Sequence, residues 1–290
     1  MNLNIDTNPK IGSIEFYTKN KNYVESPSPR SLIKQRGMEF EQFRSYQPDD
    51  DASIIDWKAS ARSDDTLVRV YSEDISINIL LLIDVSESMM YGTQEKAKIE
   101  YAIELALNIA YGAISYGDRV GVLMFNDGIV EAINFETGAN HFSEILGRMT
   151  SPKNLGGNLN LEVALQGFFE IFSNTHLLIM ISDFINFGEK LYQDIHAVVD
   201  LTDIIGIMVN DKTDVTLEGG PFYLHAKDPF SEDKGFTKAN LRDYYKANMD
   251  RINKLNDFFL TTDNDLWVFY CDDPMDKIMY LNTERNNLKK

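Results

Sequence analysis

Cysteine is nearly absent from this chain: Cys271 is the single one in 290 residues, so no internal disulfide can form. We expect it to be a buried structural thiol in a reducing compartment. Long apolar runs are also missing, and none approaches the roughly 20 residues that a membrane helix needs. The first residues lack the basic start and apolar core of a signal peptide. The sequence therefore predicts a cytoplasmic protein without a membrane span.

Positive charge is scarce as well. The chain has 28 basic against 45 acidic side chains, which gives a formal net charge of −17. Such a surface repels phosphate backbones and anionic lipid, so nucleic acid is not an expected partner. A glycine-rich loop that ends in Gly-Lys-Ser or Gly-Lys-Thr and binds nucleotide phosphates is missing too. The chain is thus not expected to be an ATPase by itself.

Short apolar segments alternate with segments of helical period from residue 77 onward. This alternation is typical of βαβ units, and it predicts an α/β fold with a mostly parallel sheet and helices on both faces. Asn126, Asp127 and Gly128 separate two strand-like runs and predict a tight turn, so one edge strand should be antiparallel. Strands are predicted at 77–83, 119–125, 129–135, 176–182, 203–209 and 266–271, and helices at 96–116, 159–172, 190–201 and 240–261.

Two regions break this alternation. Residues 1–74 contain several prolines, an acidic run and short strand-like pieces, so they predict a small β-rich N-terminal module in front of a main domain at 75–290. Residues 211–238 are polar and rich in turn formers, and they predict a hairpin that leads into the helix near residue 240.

Oxygen-bearing side chains follow the first strand of the main domain. Asp84 comes directly after the apolar run, and Ser86 and Ser88 follow it in the next loop. In a parallel sheet the carboxyl ends of the strands line the crevice where ligands collect. One carboxylate and two hydroxyls on one side of a loop are ligands suited to Mg²⁺ or Mn²⁺. The spacing alone is common by chance.

Two later segments lead to the same edge of the predicted sheet. Asn158 follows the turn at Gly156 and Gly157, and Asp183 ends a second buried strand. We expect these side chains to converge with Asp84 on one point. For either acid alone, capping of the next helix is the simpler alternative, because Asp is a favoured N-cap residue.

In this order, D-x-S-x-S, a Gly-Gly turn with an oxygen-bearing residue and a strand-terminal Asp resemble the metal-ion-dependent adhesion site of von Willebrand factor A domains. The resemblance implies that Asp84, Ser86 and Ser88 hold the cation and that Asp183 acts largely through water. Asn158 stands where that family usually has Thr. An amide oxygen can bind a hard cation directly or through water. The resemblance covers residues 75–290.

The preceding segment contains an ordered series of glycine, acidic, aromatic and arginine positions. They are Gly37, Glu39, Phe40, Arg44, Tyr46, Pro48, Asp50, Asp51, Ile55, Asp56, Trp57, Ser60, Ala61, Arg62 and Glu73. In this order they resemble the signature of the bacterial proteins grouped as domain of unknown function 58. Asp49 replaces a usual Gly of that signature, and Ser53 stands where a second Arg is common.

Charged and aromatic side chains of this segment allow two interpretations. Arg44 and Arg62 lie among several acids and could form bidentate ion pairs that fix a compact turn. Trp57 is expected to pack against the sheet with its indole donor satisfied. The alternative is a recognition surface, because exposed Arg and Trp are enriched at binding hot spots.

Three functions remain open from the sequence. The first is a non-enzymatic adaptor whose bound cation accepts a carboxylate from a protein partner. The resemblance implies a MoxR-type AAA+ ATPase as a partner in protein assembly or maturation. The second is a metal-dependent hydrolase or phosphatase, for which the scattered histidines provide no evident general base. The third is a scaffold whose metal site has decayed, an alternative that Asn158 keeps open.

Overall fold

The computed structural model describes residues 3–18, 38–48, 50, 52–63, 65–73, 76–151, 153–185, 189–215, 224–227, 234–237 and 241–289. The chain divides into a larger unit, residues 1–18 together with 77–290, and a smaller unit at residues 19–76. This division differs from the predicted module at 1–74, because the first residues of the chain pack within the larger unit. Three apolar side chains of this segment, Ile11, Ile14 and Phe16, are buried in the core of the larger unit.

The described strands are β1 (Met38–Ser45), β2 (Leu67–Glu73), β3 (Asn78–Asp84), β4 (Arg119–Phe125), β5 (Ile129–Glu136), β6 (Leu177–Ser182), β7 (Asp203–Asn210), β8 (Leu224–Lys227), β9 (Lys234–Thr237) and β10 (Asp265–Tyr270). The described helices are α1 (Trp57–Ser60), α2 (Lys98–Tyr116), α3 (Ala139–Met149), α4 (Leu161–Ile171), α5 (Glu189–Val199), α6 (Lys212–Val215), α7 (Leu241–Thr261) and α8 (Lys277–Lys289).

The larger unit is built on a six-stranded sheet with the order β10-β7-β6-β3-β4-β5. Neighbouring strands run parallel from β10 to β4, whereas β5 pairs with β4 antiparallel. Strands β3, β6 and β7 are buried along their whole length, which explains their continuous apolar runs. The predicted fold class, including the antiparallel edge strand, is confirmed.

Helices cover both faces of this sheet. One apolar core joins alternate residues of the strands to α2, α3 and α8, and a second joins the opposite strand faces to α4, α5 and α7. Helices α3 and α8 are absent from the sequence-based prediction. In α3 the buried residues His141, Ile145 and Met149 recur at intervals of four, so the sequence carries a helical period that the prediction omits. In α8 two of the three buried residues are polar, so its apolar period is weak. Within the described residues, no helix has both the length and the apolar character needed to cross a bilayer.

Residues 3–18 run along α2 and α8. The backbone amides of Asn4 and Asp6 donate to Glu100 Oε1 and Glu104 Oε1, each at 2.6 Å. The amide of Lys10 donates to Asn108 Oδ1 at 2.7 Å. The three acceptors are spaced by four residues, so they lie on one face of the helix. This polar face of α2 is therefore covered by the chain itself.

Strands β8 and β9 pair antiparallel, so the hairpin predicted within 211–238 is confirmed. In the smaller unit, β1 and β2 also form an antiparallel pair, with a bulge between Phe40 and Gln42. Arg44 binds Asp50 through two hydrogen bonds of 2.6 Å, as the ion-pair interpretation predicts. Together with the amide of Gln47, Arg44 lowers the pKa of Asp50 to about 2.

The prediction that Trp57 packs against the sheet is wrong, because its side chain is 69% exposed. Trp57 is the first residue of α1, whose N-cap is Asp56. The carboxylate of Asp56 accepts from the amides of Lys58 and Ala59 at 2.9 and 3.0 Å. The local capping interaction therefore fixes this turn without burial of the indole.

Candidate metal centre

Asp84 is the last residue of β3 and is fully buried. Its Oδ1 accepts from the amide of Ser86 at 2.8 Å, and its Oδ2 accepts from the hydroxyl of Ser182 at 2.6 Å. Both carboxylate oxygens are thereby oriented by short contacts. The next helix is a short 3₁₀ turn, Glu87–Met90, whose N-cap is Ser86, and α2 begins only at Lys98, so Asp84 caps neither. The helix-capping alternative therefore does not apply to Asp84.

Ser86 and Ser88 follow β3 in a short turn. Their hydroxyl oxygens lie 3.3 Å apart, so they can face one ligand together. Ser86 is buried and Ser88 is half-buried, which leaves this pair accessible on one side. Because Ser86 and Ser88 are two residues apart, both hydroxyls lie on the same side of the loop, as the sequence predicts.

The Gly-Gly turn before α4 lies against this loop. The amide of Gly156 donates to the carbonyl of Val85 at 2.9 Å, and the carbonyl of Gly157 accepts from the amide of Glu87 at 2.8 Å. Both glycines have positive φ, at 88° and 83°, a conformation that side-chain-bearing residues rarely adopt. Asn158 follows directly and is exposed. The turn therefore brings Asn158 next to the serine loop, on its solvent side.

Asp183 follows β6, the neighbour of β3 in the sheet. It is fully buried, and its Oδ1 accepts from the amide of Ile185 at 3.1 Å. Its Oδ2 accepts from Lys98 Nζ at 2.8 Å. Because its Oδ2 is already ion-paired with Lys98, Asp183 suits contact with a cation through water better than direct contact.

The two aspartates influence each other electrostatically. Burial, followed by the negative charge of Asp183, raises the pKa of Asp84 to about 6, although hydrogen bonds from Ser182 and Ser86 oppose the rise. Two buried carboxylates at adjacent strand ends repel one another in a medium of low dielectric constant. A cation between them would remove this repulsion.

Lys98 is a functional candidate that the sequence does not reveal. It is the first residue of α2, its side chain is 1% exposed, and it forms ion pairs with Asp183 at 2.8 Å and Asp214 at 3.0 Å. Burial alone would lower the pKa of Lys98, but the two carboxylates outweigh burial and raise it. The only available signal was a basic residue in the first turn of a helix, where the helix dipole disfavours positive charge.

A further aspartate, Asp211, fixes the loop that leads into α2. The carboxylate of Asp211 accepts from the amide and the hydroxyl of Thr93 at 2.7 and 2.6 Å. It also accepts from the amide and the hydroxyl of Thr213 at 2.9 and 2.7 Å. Asp211 thus joins the end of β7 to the loop between β3 and α2. Burial opposes the effect of these donors, yet the pKa of Asp211 falls to about 2.

The donor set fits a hard divalent cation. Asp84, Ser86 and Ser88 supply one carboxylate and two hydroxyl oxygens from one turn, and the negative charge of Asp183 acts on Asp84. Within the described residues, no group of three or more His, Cys, Asp and Glu side chains is arranged to hold a metal. A bound ion would therefore depend on hydroxyl groups and water as well as on carboxylates.

Other reactive side chains serve the fold. His141 Nε2 lies 2.7 Å from the carbonyl of Val120, and His176 Nδ1 accepts from the amide of Asn78 at 3.0 Å. The thiol of Cys271 is buried and donates to the carbonyl of Asn210 at 3.4 Å. Burial raises the pKa of this thiol to about 12, so it is a poor nucleophile.

The fold and these strand-end loops define a mixed α/β protein with a candidate cation site at the carboxyl edge of its sheet. The family model described as "Protein of unknown function DUF58" matches residues 42–253. The chain belongs to this family. The match includes β2 and the sheet as far as β7, so it spans both units of the chain.

Relatives and solved structures resemble the chain more distantly. The uncharacterized protein Rv1480 of Mycobacterium tuberculosis and the uncharacterized protein Mb1516 of Mycobacterium bovis are each 28% identical over 188 residues, or 64% of this chain. The matched region spans 59% of the length of these relatives.

Among solved structures, an aerotolerance-related membrane protein from Bacteroides fragilis has a TM-score of 0.47 and 13% identity, covering 73% of this chain and 99% of its own. BatB from Bacteroides thetaiotaomicron has a TM-score of 0.46 and 13% identity, covering 73% and 98%. A von Willebrand factor type A protein from Catenulispora acidiphila has a TM-score of 0.37 and 18% identity, covering 50% and 35%.

Proposed function

We propose that this protein is a non-enzymatic adaptor that binds a protein partner through a divalent cation, Mg²⁺ or Mn²⁺. One observation carries the proposal: Asp84, Ser86 and Ser88 share one turn beside the buried carboxylate of Asp183, at the carboxyl edge of the sheet. In this proposal Asp84 and the two serines hold the ion, Asp183 acts through water, and Asn158 completes the set from the neighbouring loop.

The partner would supply the missing ligand. Protein groups would surround the ion from the sheet side, and the half-buried Ser88 and the exposed Asn158 would lie at the accessible side of the site. A Glu or Asp carboxylate of the partner would occupy the open position, because Mg²⁺ prefers oxygen ligands in an octahedral arrangement. The metal would neutralise local negative charge, so that an acidic side chain can approach a protein of net charge −17.

The partner we propose is a MoxR-type AAA+ ATPase, with the pair acting in the assembly or maturation of other proteins in the cytoplasm. Support comes from the resemblance of the sequence motifs to the proteins grouped as domain of unknown function 58 and to adhesion sites, which implies such a partner. An adaptor role also agrees with the positions of His141 and His176, because each ring bonds to a backbone group of the sheet.

Metal binding is tested by calorimetric titration of MgCl₂ and MnCl₂ into the metal-free protein. We expect saturable binding by the wild type and a loss of at least about tenfold in affinity for Ser86→Ala, which removes one hydroxyl ligand. Ser143→Ala is the matched control, because Ser143 is an exposed serine of α3 that bonds to the carbonyl of Ala139. Wild type that releases no heat and shows no metal-dependent rise in melting temperature would contradict the proposal.

Partner binding is tested with the purified MoxR-type ATPase of the same organism. We expect association in MgCl₂ that disappears in chelator and in Asp84→Asn, which removes one ligand charge but keeps the shape of the side chain. Association that is equally strong in chelator would remove metal dependence from the proposal. If the association required no acidic residue of the ATPase, the carboxylate contact would be excluded from the proposal.

A second candidate function is a scaffold that needs no metal. The observation that favours it is Lys98, whose ammonium group already offsets the charge of Asp183. In that case Asp84→Asn would leave partner binding unchanged, and the same calorimetric titration would show no heat for wild type.

A further inference from the structure

Lys98 is a fixed positive charge beside the candidate metal site. Its side chain and that of Asp183 are each 1% exposed, and their charged atoms are 2.8 Å apart. Asp214 approaches the same ammonium group at 3.0 Å from α6. Asp214 is itself oriented, because its Oδ2 also accepts from the amide of Asp211 at 2.8 Å. The ammonium group is thus held on two sides by carboxylates from two different strand-end loops.

The position of Lys98 is costly for the fold. A buried ammonium ion loses its hydration, and at the N-terminus of α2 it also opposes the helix dipole. Both costs are offset by the ion pairs with Asp183 and Asp214. Without Lys98, Asp183, whose charge acts on Asp84, and Asp214 would both lose the ammonium group that they share. The lysine therefore allows the strand-end carboxylates to lie together in the absence of any metal.

We infer that Lys98 is an internal counter-ion that sets the metal affinity of the site, an inference that rests on the proposed function. Lys98 offsets the charge of Asp183, so a divalent ion meets the net charge of about one carboxylate rather than two. Affinity of oxygen sites for divalent cations depends on the number of charged ligands. The lysine thus weakens metal binding and preserves the geometry of the loops when the metal has left.

Two substitutions in the same ion-pair cluster shift the affinity in opposite directions. Lys98→Met removes the positive charge at nearly constant side-chain volume, and we expect Mg²⁺ affinity to rise by about tenfold. Asp214→Asn removes an acid but keeps an oxygen that can accept from the amide of Asp211. More of the charge of Lys98 then acts on the site, so Mg²⁺ affinity should fall several-fold. General damage to the fold would weaken binding in both variants.

The measurement is calorimetric titration of MgCl₂ alone into metal-free protein, paired with urea unfolding in chelator and in saturating MgCl₂. Lys96→Met is the control, because Lys96 lies two residues earlier and pairs with Glu104 rather than with the site. It changes the net charge by the same amount. We expect Lys98→Met to be less stable than wild type in chelator and to regain most of that loss in MgCl₂, whereas Lys96→Met shows no dependence on the metal.

The outcomes separate this inference from the proposed function. Unchanged or weaker Mg²⁺ binding by folded Lys98→Met overturns the role of Lys98, even if wild type binds the metal. Binding by Lys98→Met but not by wild type supports that role and removes metal dependence from the proposed function. If neither protein binds Mg²⁺, both fail. If Lys98→Met does not fold in either condition, Asp214→Asn decides: unchanged or stronger binding by that variant overturns the inference.

Discussion

At the scale of single residues, Asp211 shows how a buried acid determines the shape of a loop. Its two oxygens accept four hydrogen bonds from Thr93 and Thr213, and these bonds require the ionised carboxylate. Their donors are backbone amides as well as hydroxyls, so a neutral side chain cannot replace all of them. The loop that carries Thr93 leads from the serine turn to α2 and to Lys98.

We predict that Asp211→Asn lowers the free energy of unfolding by about 1–2 kcal/mol at pH 7, after allowance for solvent screening. The folded-state pKa of about 2 is below the ordinary Asp value of 3.8, so this contribution is present above pH 4 and is lost as the pH falls toward 2. Urea unfolding at pH 7 and near pH 3 measures it. A difference between wild type and variant that grows on acidification would contradict the assignment.

The sequence predicts only some of the residues that form the candidate site. Asp84, Ser86 and Ser88 are adjacent in the chain, so their spacing was enough to predict a shared ligand side. Ser182 and Lys98 join the same cluster through contacts that span 98 and 85 residues. No local pattern encodes such contacts, because they depend on which strands become neighbours in the sheet.

At the scale of elements, α2 is unusual in being buried almost all round. Its apolar side packs on the sheet, as the helical period predicted. Its polar side presents Glu100, Glu104 and Asn108 to the backbone of residues 3–18. Apolar side chains of the same segment, such as Ile14, are buried as well. The backbone contacts with α2 join residues 96–98 positions apart, so no local pattern in the sequence predicts them.

Gly112 provides a test of this packing. A Cβ atom at Gly112 would lie 2.5 Å from Ile14 Cγ2 and 3.0 Å from the carbonyl oxygen of Gly12. The gain in helix propensity, about 1 kcal/mol, is smaller than the cost of moving the backbone. We therefore predict that Gly112→Ala lowers the free energy of unfolding by about 1–2 kcal/mol, measured in urea.

The control for this variant is Gly147→Ala in α3. A Cβ atom there meets nothing within 4 Å, so only the gain in helix propensity remains. We expect Gly147→Ala to be as stable as wild type or more stable, by up to about 1 kcal/mol. Equal effects of the two substitutions would show that residues 3–18 do not pack tightly on α2 in solution.

At the scale of the whole molecule, the excess of acidic over basic side chains is the main electrostatic feature. A net charge of −17 causes self-repulsion that salt screens. The site at Asp84 is one part of this excess of negative charge. The family match includes residues of both units, so the sheet alone does not define the family. General screening and specific metal binding act on the same acids in different ways, so they can be separated by comparing salts.

We predict that NaCl raises the melting temperature of the protein and that MgCl₂ raises it further at equal ionic strength. Screening depends on ionic strength, whereas a bound ion stabilises the folded state by mass action. In Asp84→Asn the effect of NaCl should persist and the extra effect of MgCl₂ should vanish, because the general charge is nearly unchanged while one ligand charge is lost. Thermal unfolding followed by circular dichroism provides both values. An extra effect of MgCl₂ that survives in Asp84→Asn would place the ion elsewhere on the acidic surface. A melting temperature that does not depend on NaCl would show that self-repulsion changes the stability of the fold little.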